Sequence, residues 1–516
     1  MTSRTRLLFI VLVAVALAFG IDYAVRYSQR PPPDMNWQAE MSSSFEGQWA
    51  TITAADKVTD VVARCKQYPD PPWLHWKLEA VAAACDVLGR RMPLGFSEIR
   101  AALLASQMDM LEERFRGFRD ESLSGSDPRA RGLLERALRP FGAEAEEVGE
   151  VAQKWTELAP HSPFALIARG KHYAALGYRA RGSDFAYKTP KDNFRRMGEL
   201  LGKARADFEA ALALDGKLVP AYVELIELGK TTSDHELVEH AAHAALKVDP
   251  TDEDIYLEWM RASEPRWGGS MEQMRRIADK AKRYLDQNPR LALMMEKPVA
   301  YPAYMDPDSR NAQFIVDTLD KALEIAPSAN DLEKAGNAAF IARQPERAIW
   351  YFSQSWRFSA EPLKLAQRAF ALDKLGRREL AKQSLPEVTN VDHWSEEGLI
   401  EIARIYRQLE MRDNSESLFK EVLKRNPHSE YAMSSLCNIY LESPRRDDLA
   451  RPIVARLISE YPNFASGWYY DFMLKFYDHA PKEQWDKSLR NYLALVNRND
   501  PYEQSRIAQA KAYLGK

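Results

Sequence analysis

Residues 329–352 read ANDLEKAGNAAFIARQPERAIWYF, and the spacing of small and bulky residues in this stretch recurs downstream. Small residues return at intervals of 33, 34 and 34 positions. A constant interval of this length predicts repeated supersecondary units stacked in a row, rather than one chain wrapped around a single core. The small residues are Gly336, Ala369, Ala403 and Cys437.

A second set of positions predicts a helix pair within each unit. Another small residue follows the first after twelve positions, and a bulky apolar residue follows four positions later. Small residues let two helices cross closely, while bulky ones fill the space between units. The pattern resembles the tetratricopeptide repeat (TPR), which implies stacked antiparallel helix pairs. These residues are Ala348, Ala381 and Ser415, then Phe352, Leu385 and Phe419, with Pro427 and Pro462 closing two units.

The composition predicts an ordered protein, since 46% of the 516 residues are apolar and 28% are charged. Helical periodicity recurs and strand-like alternation is scarce, which predicts an all-α, TPR-like antiparallel helix-pair solenoid. The formal charge is −3, and we identify no basic stripe of the kind that nucleic-acid binders carry. We therefore expect no nucleic-acid partner.

The chain divides into five predicted regions. They are a membrane anchor or signal segment at 1–30, a Pro-containing linker at 31–44, an N-terminal helical region at 45–159, an irregular TPR-like domain at 160–327, and a TPR-like array with a C-terminal capping helix at 328–516.

The first region carries a membrane-targeting pattern. Arg4 and Arg6 precede a charge-free apolar run from Leu7 to Ile21, which continues to Val25 after one aspartate. Its nineteen residues span roughly 28 Å as a helix, enough to cross the apolar part of a bilayer. The alternatives are a cleavable signal peptide, with Ala-Leu-Ala at 16–18 as the cleavage site, and a buried helix.

The orientation follows from the flanking charges. A basic amino-terminal end retained inside the cell predicts a single-pass inner-membrane protein with an extracytoplasmic body, or a periplasmic protein after cleavage. Arg26 and Arg30 on the other flank oppose this orientation. Pro31, Pro32 and Pro33 predict a stiff spacer after the anchor.

Helical patterns in the N-terminal region run over 45–67, 73–90, 95–118, 128–140 and 144–159, with a Ser-, Gly- and Asp-rich loop at 120–127. We expect a helix to open at Asp70–Trp76, and Trp73 and Trp76 to fill core or interface space rather than to form a ligand cage. Cys65 and Cys85 flank the Pro-rich break, and a tight helical hairpin would offset them by more than about 10 Å. We therefore expect both to be unpaired core cysteines, and Cys437 to have a packing role.

Three interruptions depart from the regular repeat. The connection at 179–190 is much longer than a TPR turn, and long ordered loops often carry function. The stretch 264–270 contains Trp267, expected to plug an apolar gap, and Ser270, which forms a capping box with Gln273. Three prolines within 298–307 predict that the helix expected there is short or absent.

Sequence motifs for catalysis and metal binding give no candidate. His235, Glu236, Glu239, His240 and His243 share one helix, but their order matches neither the HExxH nor the inverted zinc motif. We interpret them as a solvated helix surface. Nucleotide-binding loops and nucleophile elbows are also missing from the sequence. We predict no enzyme activity, no catalytic residue, no metal and no cofactor.

The first helices of the regular units offer a candidate partner groove with aromatic, amide and cationic side chains, which suit backbone and carboxylate hydrogen bonding. Glu333 stands where a carboxylate-clamp lysine would precede Asn337, so that clamp is not expected. The alternative is an unused solvated face. The groove residues are Asn337, Phe340, Arg404, Arg407, Tyr431 and Asn438.

Residues 60–290 resemble a bacterial family of unknown function in carrying Trp155, Ser162-Pro163, YRARG at 178–182, PRWGGS at 265–270 and Met274. The resemblance implies helical repeats and no established reaction. In one interpretation the loop arginines cap helix ends; in the other, the two loops meet and bind an anion. The candidate loop residues are Arg179, Arg181, Gly182, Arg266, Trp267, Gly268 and Gly269.

These features together predict a bacterial, membrane-anchored TPR-like scaffold or adaptor that binds one or more protein partners. The alternative is a binding or catalytic module in which the Arg-bearing loops act on an anionic small molecule or glycan.

Overall fold

The computed structural model describes residues 43–184, 187–305, 311–388, 391–501 and 503–515. Within these ranges all regular structure is helical and no strand is present, so the predicted all-α class is confirmed. The predicted anchor and nearly all of the predicted linker lie outside the described residues. Among the helices that are described, none is sufficiently long and apolar to span a membrane.

Between residue 43 and the first repeat, the structure describes seven helices. They are α1 (Ser43–Asp56), α2 (Val61–Gln67), α3 (Leu78–Asp86), α4 (Phe96–Leu104), α5 (Met108–Ser124), α6 (Leu133–Leu138) and α7 (Glu146–Leu158). The patterns predicted as single helices over 45–67 and 95–118 are each two helices, and α5 extends into the predicted loop as far as Ser124. Short 3₁₀ turns lie at Val87–Gly89, Pro128–Ala130, Arg139–Gly142, Pro265–Trp267, Pro289–Leu291 and Val391–His393.

Nine consecutive helix pairs follow in the described ranges, and one further helix, α26 (Gln504–Tyr513), follows them. The pairs are α8 (Pro163–Arg181) with α9 (Lys191–Leu214), α10 (Val219–Thr232) with α11 (His235–Val248), α12 (Glu253–Ala262) with α13 (Met271–Lys282), α14 (Ala292–Met305) with α15 (Ala312–Leu323), α16 (Ala329–Ile341) with α17 (Pro345–Ser359), α18 (Pro362–Lys374) with α19 (Arg378–Ser384), α20 (Glu396–Gln408) with α21 (Arg412–Arg425), α22 (Glu430–Leu441) with α23 (Asp447–Glu460), and α24 (Ala465–Tyr477) with α25 (Lys482–Leu495). Consecutive helices pack against each other along the array, except that α20 packs on α18 rather than on the short α19. This is the TPR-like solenoid that the repeat predicts.

The predicted crossing residues occupy equivalent positions. Gly336, Ala369, Ala403 and Cys437 are each the eighth residue of α16, α18, α20 and α22, and each is buried. A Cβ atom on Gly336 would lie only 2.7 Å from the Phe352 ring of the paired helix. The packing role of the small residues, including that of Cys437, is therefore confirmed.

The turn within each regular pair is also repeated. A residue with left-handed backbone precedes the second helix by two positions in three successive pairs: Arg343 (φ 61°), Gly376 (φ 76°) and Glu410 (φ 64°). A left-handed residue ends a helix sharply, so the same reversal recurs in each pair. Ser328, Ser395 and Ser429 begin three of the first helices by accepting a backbone N–H bond.

The buried apolar residues form two cores. The first core runs from Ile99 to Tyr301, and the second runs from Ala300 to Ala510. The second core also contains residues from Trp49 to Cys85. The N-terminal segment (residues 43–86) therefore packs against the distant half of the solenoid rather than beside the helices that follow it in sequence.

Two buried arginines join the N-terminal segment to the second core. Arg368 on α18 is 1% exposed and donates to Asp56 at 2.7 Å. Arg357 on α17 is 2% exposed and donates to the Cys65 carbonyl at 2.7 Å and to Asp70 at 2.6 Å. A buried charge is tolerated only when it is paired and hydrogen-bonded, so these contacts fix the position of the segment.

The two N-terminal tryptophans fill interface space, as predicted. Trp76 is buried and donates its indole N–H to the Leu323 carbonyl at 2.5 Å, while Trp73 packs edge-on against Trp350 at 6.3 Å. The helix expected to open at Asp70–Trp76 does not do so, because α3 begins only at Leu78.

The prediction that Cys65 and Cys85 are unpaired is wrong, because they form a disulfide with Cα atoms 5.5 Å apart. The expected axial offset assumed a tight turn between the two helices. In the structure residues 68–77 form an irregular connection, which is long enough to bring Cys85 back beside Cys65.

The prediction of a short or absent helix near 298–307 is also wrong. The helix α14 spans fourteen residues with Pro298 and Pro302 inside it. Each proline removes one helical hydrogen bond, but α13 and α15 pack on either side of α14, and this packing outweighs the local penalty. Residues 306–310 lie outside the described ranges.

Candidate functional site

The side of the array that the first helix of each pair presents is here called the inner surface, and contacts such as that of Lys364 with Glu333 join neighbouring first helices on it. Its first part carries a buried lysine, Lys171 on α8, which binds Glu135 at 3.0 Å and also Glu224 on α10. Burial lowers the pKa of Lys171, but the two carboxylates outweigh burial and the net shift is upward. Burial and Glu224 raise the pKa of Glu135, against the effect of Lys171.

The next residues along the inner surface lie on α10 and α12. Glu258 binds Arg261 on its own helix, and its Oε2 lies 4.0 Å from Nζ of Lys230, which also binds Glu227. Burial, together with Glu227, raises the pKa of Glu258 to about 7, although Arg261 and Lys230 oppose the shift. This carboxyl group therefore changes its charge near neutral pH.

A cavity of 540 Å³ adjoins these residues, lined by α12, α14 and the end of the N-terminal segment. Glu253 lies at its edge between Arg90 and Arg290 and binds both. Burial raises the pKa of Glu253, but the two guanidinium groups prevail and lower it to about 2. Lys297 binds the buried Asp331 at 2.9 Å nearby.

These charged groups were not identified from the sequence. Lys171 is 53 positions from Glu224, and Arg90 is 163 positions from Glu253. Carboxylates are frequent in the chain, and only the stacking of successive first helices brings these particular ones together.

Three of the six predicted groove residues lie close together on the inner surface. Burial raises the pKa of Tyr431, while Arg404 and Arg407 are near enough to lower it. Arg404 binds Glu401 at 2.6 Å, and Arg407 binds Glu442 at 2.8 Å. The arginines therefore already have carboxylate partners within the chain.

The remaining groove residues have different surroundings. Asn438 accepts a hydrogen bond from Arg506 of α26 at 2.9 Å, which places α26 beside the groove. Asn337 and Phe340 lie two pairs away on α16, where the Phe340 ring is 5.2 Å from Phe370. Glu333 binds Lys364 at 2.6 Å. The groove as a partner site stays a prediction.

The loop arginines have separate surroundings. Arg181 donates to the carbonyls of Gly182 and Asp184 at 2.9 and 3.2 Å, which holds the start of the connection after α8 rather than the last carbonyls of the helix. Arg179 lies 3.5 Å from Glu144 and lines a groove between α8 and α9. Arg266 binds Glu264 and lines the 540 Å³ cavity instead. Phe185 and Ala186 of this connection lie outside the described residues.

The glycine pair at 268–269 meets a steric requirement. Gly268 has a φ of +89°, and a Cβ atom on Gly269 would lie 2.0 Å from the Ser263 carbonyl oxygen. Trp267 is 39% exposed beneath the Lys230 ammonium group, so it only partly fills the expected gap. Ser270 accepts the Gln273 backbone N–H at 3.2 Å, so Ser270 caps α13 as predicted, but the Gln273 side chain accepts from the Ser270 hydroxyl and does not complete the capping box.

The histidine-rich helix α11 presents its histidines to solvent. His243 lies 3.9 Å from Glu239, and Glu239 accepts the Trp259 indole N–H at 3.0 Å. In the described ranges, no group of three or more His, Cys, Asp or Glu side chains has an arrangement that could hold a metal ion.

Comparison with known proteins finds likenesses in fold. No protein-family model matches the chain, and no curated protein matches it. Membership of the bacterial family suggested by residues 60–290 therefore stays a prediction.

Solved structures do match. A tetratricopeptide repeat protein from Parabacteroides merdae is 14% identical, covering 57% of this chain and 99% of its own, with a TM-score of 0.28. Yeast Tom70 is 11% identical over 81% of this chain and 94% of its own, with a TM-score of 0.32. The Naa15/Naa10 structure bound to HypK-THB is 12% identical over 92% and 82%, with a TM-score of 0.36. At these scores the likenesses do not identify a function.

Proposed function

We propose that the protein is a scaffold that binds a protein partner on its inner surface. We further propose that the apolar run at 7–25 targets the body of the protein to a location outside the cytoplasm. The observation that carries this proposal is the row of nine helix pairs, in which neighbouring helices pack on one another. Such a surface presents side chains from many helices to one extended or helical partner.

The partner site is proposed where Arg404, Arg407 and Tyr431 lie together, with Asn438 seven residues beyond Tyr431 on α22. Tyr431 is 47% exposed and supplies an anchor of the kind found at protein interfaces. Since both arginines bind carboxylates of this chain, we expect an acidic partner group to exchange with Glu401 or Glu442 rather than to enter an empty site.

The proposed location outside the cytoplasm is supported by the disulfide. Cys65 and Cys85 are bonded, and structural disulfides persist mainly in oxidising compartments. The apolar run at 7–25 supplies the proposed inner-membrane anchor, or a signal peptide if it is cleaved. A C-terminal reporter active only outside the cytoplasm tests this directly, and a reporter active only in the cytoplasm would contradict it.

The partner site is tested by a photo-crosslinking amino acid at position 431 of the full chain in its native cells. We expect a discrete crosslinked product that Arg404→Gln with Arg407→Gln strongly reduces. A crosslinker at Lys424, which is 75% exposed on α21, is the matched position outside the site. Arg451→Gln with Arg490→Gln is the matched charge variant, and equal loss in both variants would contradict the assignment.

A second candidate function is favoured by one observation. Arg266 lines the 540 Å³ cavity with four other cations and three carboxylates, so an anionic small molecule or glycan would meet several guanidinium groups there, in exchange with carboxylates of this chain. Arg266→Ala should then abolish binding of a sulfated oligosaccharide in titration calorimetry. Unchanged binding would leave this candidate without its site.

A further inference from the structure

The hairpin of α8 and α9 carries a local charge excess that the whole chain does not. Between residues 179 and 205 there are eight Lys or Arg and three Asp or Glu, whereas the full chain has a formal charge of −3. The cations are Arg179, Arg181, Lys188, Lys191, Arg195, Arg196, Lys203 and Arg205. The formal charge of the whole chain does not reveal this stripe, because acidic residues elsewhere in the chain cancel its positive charge.

Most of these cations point to solvent. On α9, Lys191, Arg195, Arg196, Lys203 and Arg205 are all exposed. The surrounding acidic groups bind only some of the cations. Asp192 and Glu199 bind Arg195, Glu209 and Asp234 bind Arg205, and Glu144, which precedes α7, lies 3.5 Å from Arg179.

An open groove runs between the two helices within this stripe, with a volume of 930 Å³. Arg179, Arg196 and Lys203 line it, Leu176 and Leu200 form part of its floor, and Glu199 is the carboxylate among its lining residues. Cations around an apolar floor suit a ligand that has both a phosphate group and an apolar part.

Two glycines make the exposed face of α9 flat. Gly198 and Gly202 lie one turn apart in the middle of the helix, and a Cβ atom at either would meet nothing within 4 Å. A glycine inside a helix costs about 0.5–1 kcal/mol relative to alanine, and packing within the chain does not require these two. A flat backbone surface allows close approach by something outside the chain.

An aromatic residue lies near the tip of the same hairpin. Tyr187 is 81% exposed, and the Lys188 ammonium group lies 5.7 Å from its ring centre. Tyrosine beside lysine or arginine is typical of surfaces at the headgroup level of a bilayer, where the ring is partly buried and the cation meets phosphate.

We infer that the exposed face of α9, with its groove toward α8, docks on a membrane surface that contains anionic phospholipids. The helix has 24 residues and is about 36 Å long, so it can lie along the surface with several cations in contact. The inference rests on the proposed function in one respect, which is that the body of the protein lies at a membrane. Docking of α9 would hold the solenoid against the bilayer rather than leave it on a free linker.

The experiment uses the full chain in nanodiscs, with a fluorophore on Gly198→Cys and a quencher on lipid headgroups. Cys437 is fully buried and Cys65 and Cys85 form a disulfide, so the fluorophore attaches to the cysteine introduced at position 198. We expect quenching in discs of phosphatidylcholine with about one-third phosphatidylglycerol, little in phosphatidylcholine alone, and loss at high salt.

The charge variant tests the residues. Arg196→Gln with Lys203→Gln should lower the ratio of docked to undocked protein about thirtyfold, since each cation near an anionic surface contributes about a factor of five. Arg276→Gln with Lys424→Gln removes two exposed cations elsewhere and should leave quenching unchanged. Inorganic phosphate at matched ionic strength should not displace the helix if the lipid surface is the ligand.

The outcomes separate docking from anchoring. Retention of the chain in the discs during gel filtration reports anchoring, while quenching reports docking, so either can fail alone. For a chain that is not retained, the same quenching assay with vesicles of the two compositions tests docking. Equal quenching with both lipid compositions, an equal effect of both charge variants, or protection of position 198 only when an acidic protein is added would overturn the inference.

Discussion

The regular pairs from α16 to α23 and the N-terminal segment belong to the same core, but different contacts hold each of them in place. In the regular pairs each helix contacts neighbours close in sequence, through small residues at helix crossings such as Gly336 and Ala403. The N-terminal segment comes from 247 or more positions away in its hydrogen bonds to this core. It is held by Arg368 bound to Asp56 and Tyr68, and by a disulfide within the segment.

The difference shows how stability is distributed in a solenoid. A repeat contacts only its neighbours, so a change in one pair is felt mainly in that pair and the next. A segment that spans a distant part of the array couples regions that a simple repeat would leave independent. We therefore expect substitutions in the segment's polar contacts to cost more than substitutions at a single crossing.

The largest effect is expected for Arg368→Met. This change leaves Asp56 in a partly buried site without its cation, and breaking a buried ion pair costs about 3–5 kcal/mol. Arg377→Gln removes an exposed contact to Glu46 in the same interface and should cost less than about 1 kcal/mol. Denaturant unfolding of both variants checks this, and equal midpoints would show that the buried pair does not hold the segment.

Removal of the disulfide should have the next largest effect. Cys85→Ser opens a loop of 20 positions and should destabilise the second core by about 3 kcal/mol. Reduction of the unsubstituted protein should shift the unfolding midpoint by a similar amount. Thiol counting in denaturant should give one free cysteine before reduction and three after it, and three before reduction would contradict the pairing.

A smaller effect is expected at a helix crossing. Gly336→Val places side-chain atoms against Phe352, and overpacking of this kind costs about 1–3 kcal/mol. Gly198→Ala is the matched control, because its added methyl group meets open space and should stabilise the helix by about 0.5–1 kcal/mol. Unfolding midpoints that move in the same direction would refute the assigned crossing.

The last expected effect is a pH dependence of stability in the first core that the second core does not share. The pKa of Glu258 is about 7 in the folded protein, above its ordinary value of 4.5. The stability that this group contributes is therefore fully present below pH 4.5 and is lost as the pH rises through 7. With these two values the first core should lose about 2.5 kcal/mol between pH 5 and pH 8. Glu258→Gln should remove that loss and leave the second core unaffected, and the same pH dependence in both proteins would assign it to other groups.

The parts of the fold that depend on local spacing could be predicted from the sequence. The crossings from Gly336 to Cys437 and the cap at Ser270 follow from neighbours within one repeat. The helix α14 was not predictable in this way, because packing by α13 and α15 overrides Pro298 and Pro302. The disulfide was excluded by assuming a tight turn where the chain has a longer connection.

The candidate site was predicted only in outline. Arg404, Arg407, Tyr431 and Asn438 share a surface because they repeat with the first helices. Their partners could not be foreseen, since Arg506 reaches Asn438 from 68 positions away. Likewise, no pattern in the sequence indicates that the N-terminal segment packs on α17 and α18.

Hydrogen exchange followed by mass spectrometry tests the arrangement of the two cores most directly. In Arg368→Met, we expect residues 43–86 and the pairs from α16 onward to lose protection together, while residues 96–301 keep theirs. Loss of protection in 43–86 together with 96–158, with α16–α22 unchanged, would contradict the account.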